Sequence, residues 1–157
     1  MDKLYVIKIG GNVIDDDNKL SSFLSDFAAI KSKKILVHGG GKLATKLAAL
    51  LDIPQQMIDG RRITDAETLK VVTMVYAGYI NKNIVAQLQA QDCNAIGVSG
   101  TDGNAIQAHK RIGAITDYGF VGDVDVVNAS FFQTLLQQQD SPALPRYCLL
   151  TDGSRLY

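Results

Sequence analysis

Two short glycine clusters, Lys8-Ile9-Gly10-Gly11-Asn12 and His38-Gly39-Gly40-Gly41-Lys42, each follow directly on an apolar run. Glycine at such a junction lets successive backbone N–H groups turn toward one point, and the missing Cβ lets an anion come close to them. Lys8 adds a full positive charge two residues before the first cluster. The second cluster runs into a helical segment, whose free N-terminal N–H groups favour a carboxylate or a phosphate. Taken alone, the first cluster fits a plain strand-to-helix turn with Lys8 in solvent equally well. Two clusters after successive strands point to a single anionic ligand held between them, at the carboxyl ends of parallel strands.

Other candidates carry less. Arg62 follows the Asp59-Gly60 bend and can hold a carboxylate with two parallel hydrogen bonds, although a solvated arginine beside Arg61 accounts for it as well. A P-loop is excluded, because Gly41-Lys42 is followed by Leu43 rather than Ser or Thr. The dinucleotide fingerprint fits loosely: Gly39-x-Gly41-x-x-Ala44 has the form, with Asp59 at a tolerable distance. That competing reading, an NAD-binding domain, leaves the first glycine cluster unused. His38, ending a buried run, reads as a satisfied core histidine. His109 has no carboxylate or cysteine partner nearby in sequence, and Asn81-Lys82 reads as an exposed helix face. No zinc spacing and no Ser–His–Asp set can be assembled, so no metal ligands are assigned.

The elements that position these residues alternate. Leu4 to Ile9 is a strand, and Leu20, Phe23, Leu24, Phe27 and Ile30 form a helical stripe over 18–30. Lys34 to His38 is a second, nearly all-apolar strand, as a buried parallel sheet requires. Residues 42–51 read as a helix with Leu43, Leu47, Leu50 and Leu51 on one side. Met57 to Ile63 reads as a hairpin or turn. Thr64 and Glu67 have the spacing of a capping box opening a long helix from Ala66 to about Gln91, in spite of Gly78. Cys93 to Val98 is a third core strand, and Asp102-Gly103 suits a type I′ hairpin. Residues 105–110 and 120–127 fit strands of a meander, and Asn128 caps a last helix through Leu136. Strand, glycine turn, helix, repeated, is the α/β signature.

The 157 residues suit one domain with a real core. Sixteen basic and sixteen acidic residues cancel, which removes bulk electrostatics as a route to nucleic acid or a membrane surface. No apolar run approaches a membrane span, the start has no signal-peptide pattern, and Cys93 and Cys148 lack metal or redox spacing. These features fit a reduced, cytoplasmic protein.

Six stretches in register resemble the N-acetylglutamate kinase type of amino-acid kinase. They are Val6 to Asn12, Leu36 to Lys42, Gly60-Arg61-Arg62-Ile63-Thr64, Ala77 to Lys82, Ile96 to Gly103, and Gly119 to Val124. The resemblance covers about residues 4 to 128. It implies a three-layer αβα sandwich with a mainly parallel central sheet, here truncated. It also implies transfer of the ATP γ-phosphoryl group, with Mg²⁺, to the side-chain carboxylate of an N-acyl-L-glutamate, acetyl by default and succinyl left open. Carried over onto these positions, Lys8 is catalytic and stabilises the transferring phosphoryl group, Gly10 and Gly11 bind phosphate, and Gly40, Gly41 and Arg62 bind the substrate. Such reactions rest on positioning and electrostatic stabilisation, so these groups suffice without a strong base. A homodimer is implied, with the helix from Ala66 as the contact.

The chain also departs from the pattern. The resemblance places most of the ATP site in a carboxyl-terminal domain without counterpart here, leaving residues 1–139 as an acyl-glutamate-binding domain. Residues 140–157 read as an atypical tail out of the family frame, because Pro142, Pro145 and Arg146 suit a central strand poorly. A non-catalytic acyl-glutamate-binding fragment is the alternative reading.

Overall fold

A computed structural model describes residues 3–40, 42–58, 61–112, 116–138, 141–145, 148–150 and 155–156. Strand β1 (Leu4–Ile9) leads into one helical turn, α1 (Gly11–Ile14), and helix α2 (Asp17–Ala29); β2 (Lys33–His38) leads into α3 (Leu43–Leu50). β1 and β2 pair in parallel with Lys8 opposite Val37 and Ile9 opposite His38, so both glycine clusters leave the same edge of the sheet.

Helix α2 begins where Asp16 accepts a hydrogen bond from the Lys19 N–H at 3.1 Å, and it buries Leu20, Leu24 and Phe27. Its other end is closed by a buried lysine. Lys34 Nζ, on β2, donates to the carbonyls of Phe27 (2.8 Å), Ala28 (3.0 Å) and Ile30 (2.8 Å), and lies 5.0 Å from the Phe27 ring centroid. Carbonyls at a helix end lack intrahelical partners and carry partial negative charge, so the ammonium is satisfied there without a carboxylate.

After α3 comes an antiparallel hairpin, β3 (Gln56–Ile58) and β4 (Arg61–Ile63), separate from the main sheet; its Asp59-Gly60 bend lies outside the described residues. A long helical stretch follows as α4 (Ala66–Thr73), a π-helical segment (Met74–Ile80) and α5 (Asn81–Gln89). The expected long helix is therefore present but widens around Gly78. Its cap is Asp65, whose carboxylate accepts from the Thr68 N–H at 2.7 Å; Thr64 is instead buried, held between the backbones of Tyr118 and Phe120.

Strand β5 (Ala95–Gly97) joins the main sheet, and β6 (Ile106–Lys110) pairs antiparallel with β7 (Gly122–Val127) in a second sheet. The Asp102-Gly103 turn is thus no hairpin: a short 3₁₀ turn over Asp102–Asn104, with Gly103 at φ +57°, carries the chain from one sheet to the other. Asn128 caps α6 (Ala129–Gln137) by accepting from the Phe131 N–H at 3.2 Å.

The largest correction concerns the tail. Residues Ser141–Pro145 form β8, which lies between β2 and β5 in an all-parallel sheet of order β1-β2-β8-β5. The prolines occupy its second and last positions, leaving Ala143 in the interior, fully buried, with its carbonyl accepting from the Val98 N–H at 3.0 Å. Proline is tolerated near strand ends, where fewer ladder bonds are lost. The remaining strands, β9 (Cys148–Leu150) and β10 (Arg155–Leu156), extend the second sheet to the order β10-β9-β6-β7.

Helices α2 to α5 cover one face of the main sheet over Leu36, Ala95 and Ala143, and α6 covers the other over Ile35, Val37 and Val98. The three-layer α/β/α architecture is as expected. On α3 the buried side chains are Ala44 and Ala48, with Leu43 and Leu47 partly covered, while Leu50 and Leu51 stand exposed. Small residues allow α3 to lie close to α4, which the leucine stripe alone did not foretell.

Candidate functional site

At the first turn, Gly10 caps α1, and its carbonyl accepts from the N–H groups of Val13 (3.1 Å) and Ile14 (3.2 Å). Lys8 is exposed on β1 and reaches forward: its Nζ lies 3.5 Å from where a Cβ on Gly10 would be. The ammonium therefore hangs over the glycine turn while remaining in solvent, which joins the two readings of the sequence. Asp15, which ends α1, crosses to the second turn and accepts from the Lys42 N–H at 3.0 and 3.2 Å. The chain's own carboxylate thus holds that backbone N–H and ties the two turns together.

At the second turn Gly41 lies outside the described residues. Gly40 is buried with a Tyr76 ring laid against it: a Cβ there would fall 1.3 Å from Cε1. Gly39 continues the ladder by donating to the Ile9 carbonyl at 3.3 Å, and among the described residues nothing lies within 4 Å of where its Cβ would be.

Arg62, on β4, donates from Nη2 to Thr45 Oγ1 at 2.5 Å, on the first turn of α3. Its Nε is buried and has no hydrogen-bond partner among the described residues. A buried donor left unpaired costs free energy, and a carboxylate binding edge-on would relieve it. Lys8, Gly10, Gly11, Gly40 and Arg62 are thereby gathered around the start of α3 and the carboxyl ends of β1 and β2.

Sequence reasoning missed the support beneath this site. Asn81 is not on an exposed face but almost fully buried, donating from Nδ2 to the Ala143 carbonyl (2.9 Å) and to His38 Nε2 (3.1 Å). Lys82 Nζ donates to Asn81 Oδ1 (3.2 Å) and to the Gly97 carbonyl (2.9 Å). Gly97 makes room for this: a Cβ there would fall 1.9 Å from Asn81 Oδ1. His38 is fully buried and hydrogen-bonded, as a core histidine should be, and that burial holds its pKa below the ordinary 6.5. His109 does have a carboxylate partner, Asp125 Oδ1 at 2.6 Å, supplied across the β6–β7 pair and sixteen residues away in sequence. It is exposed on the second sheet rather than at the glycine turns.

Among the described residues no group of three or more His, Cys, Asp or Glu side chains is placed to hold a metal ion, and no helix is long and apolar enough to cross a membrane. The NAD-binding reading needs a parallel strand directly after α3, and the chain instead forms the separate β3–β4 hairpin there.

The sequence profile of the amino acid kinase family matches residues 3–156, a span that includes β8 to β10. The acetylglutamate kinase of Cytophaga hutchinsonii is 58% identical over 145 residues, 92% of this chain and 55% of that protein. That of Phocaeicola vulgatus is 55% identical over 143 residues, 91% of this chain and 56% of that protein. The chain therefore spans about half the length of the curated relatives it matches. Among solved structures, smu.665 from Streptococcus mutans UA159 has a TM-score of 0.83 at 24% identity, over 98% of this chain and 62% of that one, a likeness of fold. With the parallel sheet, the paired glycine turns and a profile match over nearly its whole length, the chain belongs to the amino acid kinase family.

Proposed function

We infer that this chain carries the acyl-glutamate-binding part of an acetylglutamate kinase, with residues 1–139 supplying the site and β8 completing its sheet. The reaction moves the γ-phosphoryl group of ATP to the side-chain carboxylate of N-acetyl-L-glutamate, giving an acyl phosphate and ADP. The observation that carries this reading is Arg62: a guanidinium pinned by Thr45 to the first turn of α3, with a buried Nε unpartnered among the described residues. The identity to proteins named acetylglutamate kinase supports the choice of substrate.

In this reading Arg62 takes the α-carboxylate, and the N–H groups of Gly40 and Gly41 take the carboxylate that reacts. A carboxylate oxygen attacks the γ-phosphorus as the bond to the bridging oxygen of the β-phosphate breaks. Lys8, over Gly10, and the N–H groups of Gly10 and Gly11 offset the negative charge on the phosphoryl oxygens. Mg²⁺ arrives with the ATP phosphates as part of that substrate. The carboxylate is already a nucleophile, so no general base is required. In the same reading the chain works as a cytoplasmic homodimer with the long helical stretch from Ala66 as its contact, which the exposed Met74 and Tyr79 on that stretch support.

Calorimetric titration of the chain with N-acetyl-L-glutamate, and separately with MgATP, tests the reading. Saturable binding of N-acetyl-L-glutamate, lost in Arg62→Ala, is the expected result. A flat titration with a folded chain would overturn it.

A further inference from the structure

His38 and Asn81 lie 43 positions apart, and both are almost fully buried at the carboxyl ends of the sheet strands. Their hydrogen bonds admit one consistent placement of protons. Asn81 Nδ2 donates to His38 Nε2, so Nε2 accepts and the ring proton sits on Nδ1. Nδ1 is 3.0 Å from the Gly39 carbonyl oxygen, which can only accept. The Asn81 amide cannot turn over, because its oxygen would then face the Ala143 carbonyl oxygen and its NH₂ the Lys82 ammonium. The Gly39 carbonyl shares a rigid trans peptide plane with the Gly40 N–H, which points the opposite way. Holding the oxygen toward His38 therefore sends the Gly40 N–H away from the ring. Tyr76, laid against Gly40, blocks movement on another side.

Resting on the acyl-glutamate reading above, we propose that Asn81 is the positioning residue of the second glycine turn. Acting through His38, it fixes the direction in which the Gly40 N–H meets the substrate carboxylate. Gly97 belongs to the same device. The atoms nearest a Cβ at that position are Asn81 Oδ1 at 1.9 Å, Asn81 Cγ at 2.9 Å and Lys82 Nζ at 3.0 Å, all of them side-chain atoms. A methyl group at position 97 would thus act on the turn by displacing the Asn81 amide.

Three measurements decide this. The first needs no variant: the side-chain nitrogen spectrum of the ¹⁵N-labelled chain should show His38 as the neutral Nδ1–H tautomer, and an Nε2–H tautomer overturns the proposal. The second is a double-mutant cycle read by calorimetry with N-acetyl-L-glutamate. Asn81→Ala and Gly97→Ala should each weaken binding about tenfold, and the double variant no more than either alone, because the methyl then has nothing to displace. Losses that multiply to about a hundredfold, or unchanged affinity in both single variants, overturn it. The third is the Gly40 amide resonance without ligand, which should move in both single variants and stay put in a distant surface control; an unmoved resonance counts against the proposal. If the parent chain binds no N-acetyl-L-glutamate, the substrate reading fails while the tautomer and the Gly40 resonance still decide the role of Asn81.

Discussion

The two glycine turns look alike in sequence and are held in different ways. The first is held mainly by its neighbours: Gly10 closes a single helical turn, and among the described residues the side chain that comes near its missing Cβ is Lys8, while Asp15 at the end of that turn links it to Lys42. The second is supported from far along the chain, by Tyr76 against Gly40 and by Asn81 through His38. A phosphate on a mobile nucleotide can be met by an adjustable turn and a flexible ammonium. A carboxylate that must point at phosphorus needs N–H groups that do not move, because misplacement at the reacting centre is costly. If the first turn meets phosphate and the second the substrate carboxylate, as proposed above, the difference in support matches that division.

The comparison can be broken at several points. The largest effect should come from Arg62→Ala, which raises the Kd for N-acetyl-L-glutamate about a hundredfold, with Arg62→Lys recovering part, because lysine lacks the planar fork. Next, Gly40→Ala should destabilise the fold by about 2 kcal/mol through the Tyr76 contact. Gly10→Ala, whose Cβ among the described residues meets Lys8 at ordinary contact distance, should cost under about 0.5 kcal/mol. Equal urea midpoints for the two would erase the distinction between the turns. A smaller effect is expected from pH. Burial depresses the pKa of His38, so the unfolded chain takes up a proton that the folded one refuses. Stability is then fully present above about pH 6.5 and falls as pH drops below it, by at most about 1.4 kcal/mol per unit. Lys82, bonded to Asn81, is the charged group beside this network, and the His38 contact with the Gly39 carbonyl works against the effect of burial without reversing it. His38→Gln should flatten that slope in urea titrations at stepped pH. The smallest change belongs to Lys8→Met: on the proposed reading its charge serves the phosphoryl group, so the Kd for N-acetyl-L-glutamate should shift less than about threefold. A larger shift would place Lys8 on the wrong side of the division.

The glycine turns, the parallel order of β1 and β2 and the cap at Asn128 were legible because each is written within a few neighbouring residues, whereas the cap expected at Thr64 falls one residue later, on Asp65. What supports the second turn was not. Tyr76 and Asn81 are five residues apart, which on a regular α-helix sets them about 140° apart and suggests different faces. The π-helical segment widens the turn so that residues five apart come onto one side, and no local propensity announced it. Asn81 looked like a solvated polar residue because its partners, His38, Ala143 and Lys82 with Gly97, come from three strands and the next residue. β8 was misjudged for a related reason. Proline argues against a strand interior, but here the prolines fall near its ends, and which positions are interior depends on the neighbouring strands rather than on β8 itself.

Lys34 has a further consequence, in the chemistry of labelling. An amine-acetylating reagent attacks an exposed, unprotonated lysine at once. Lys34 is covered, and its ammonium is committed to three carbonyls at the end of α2. It can be modified only when α2 lifts from β2, so its acetylation rate meters the opening of that unit against the other lysines as an internal clock. Once acetylated it can no longer carry the charge that closes the helix, so each opening that is caught becomes permanent.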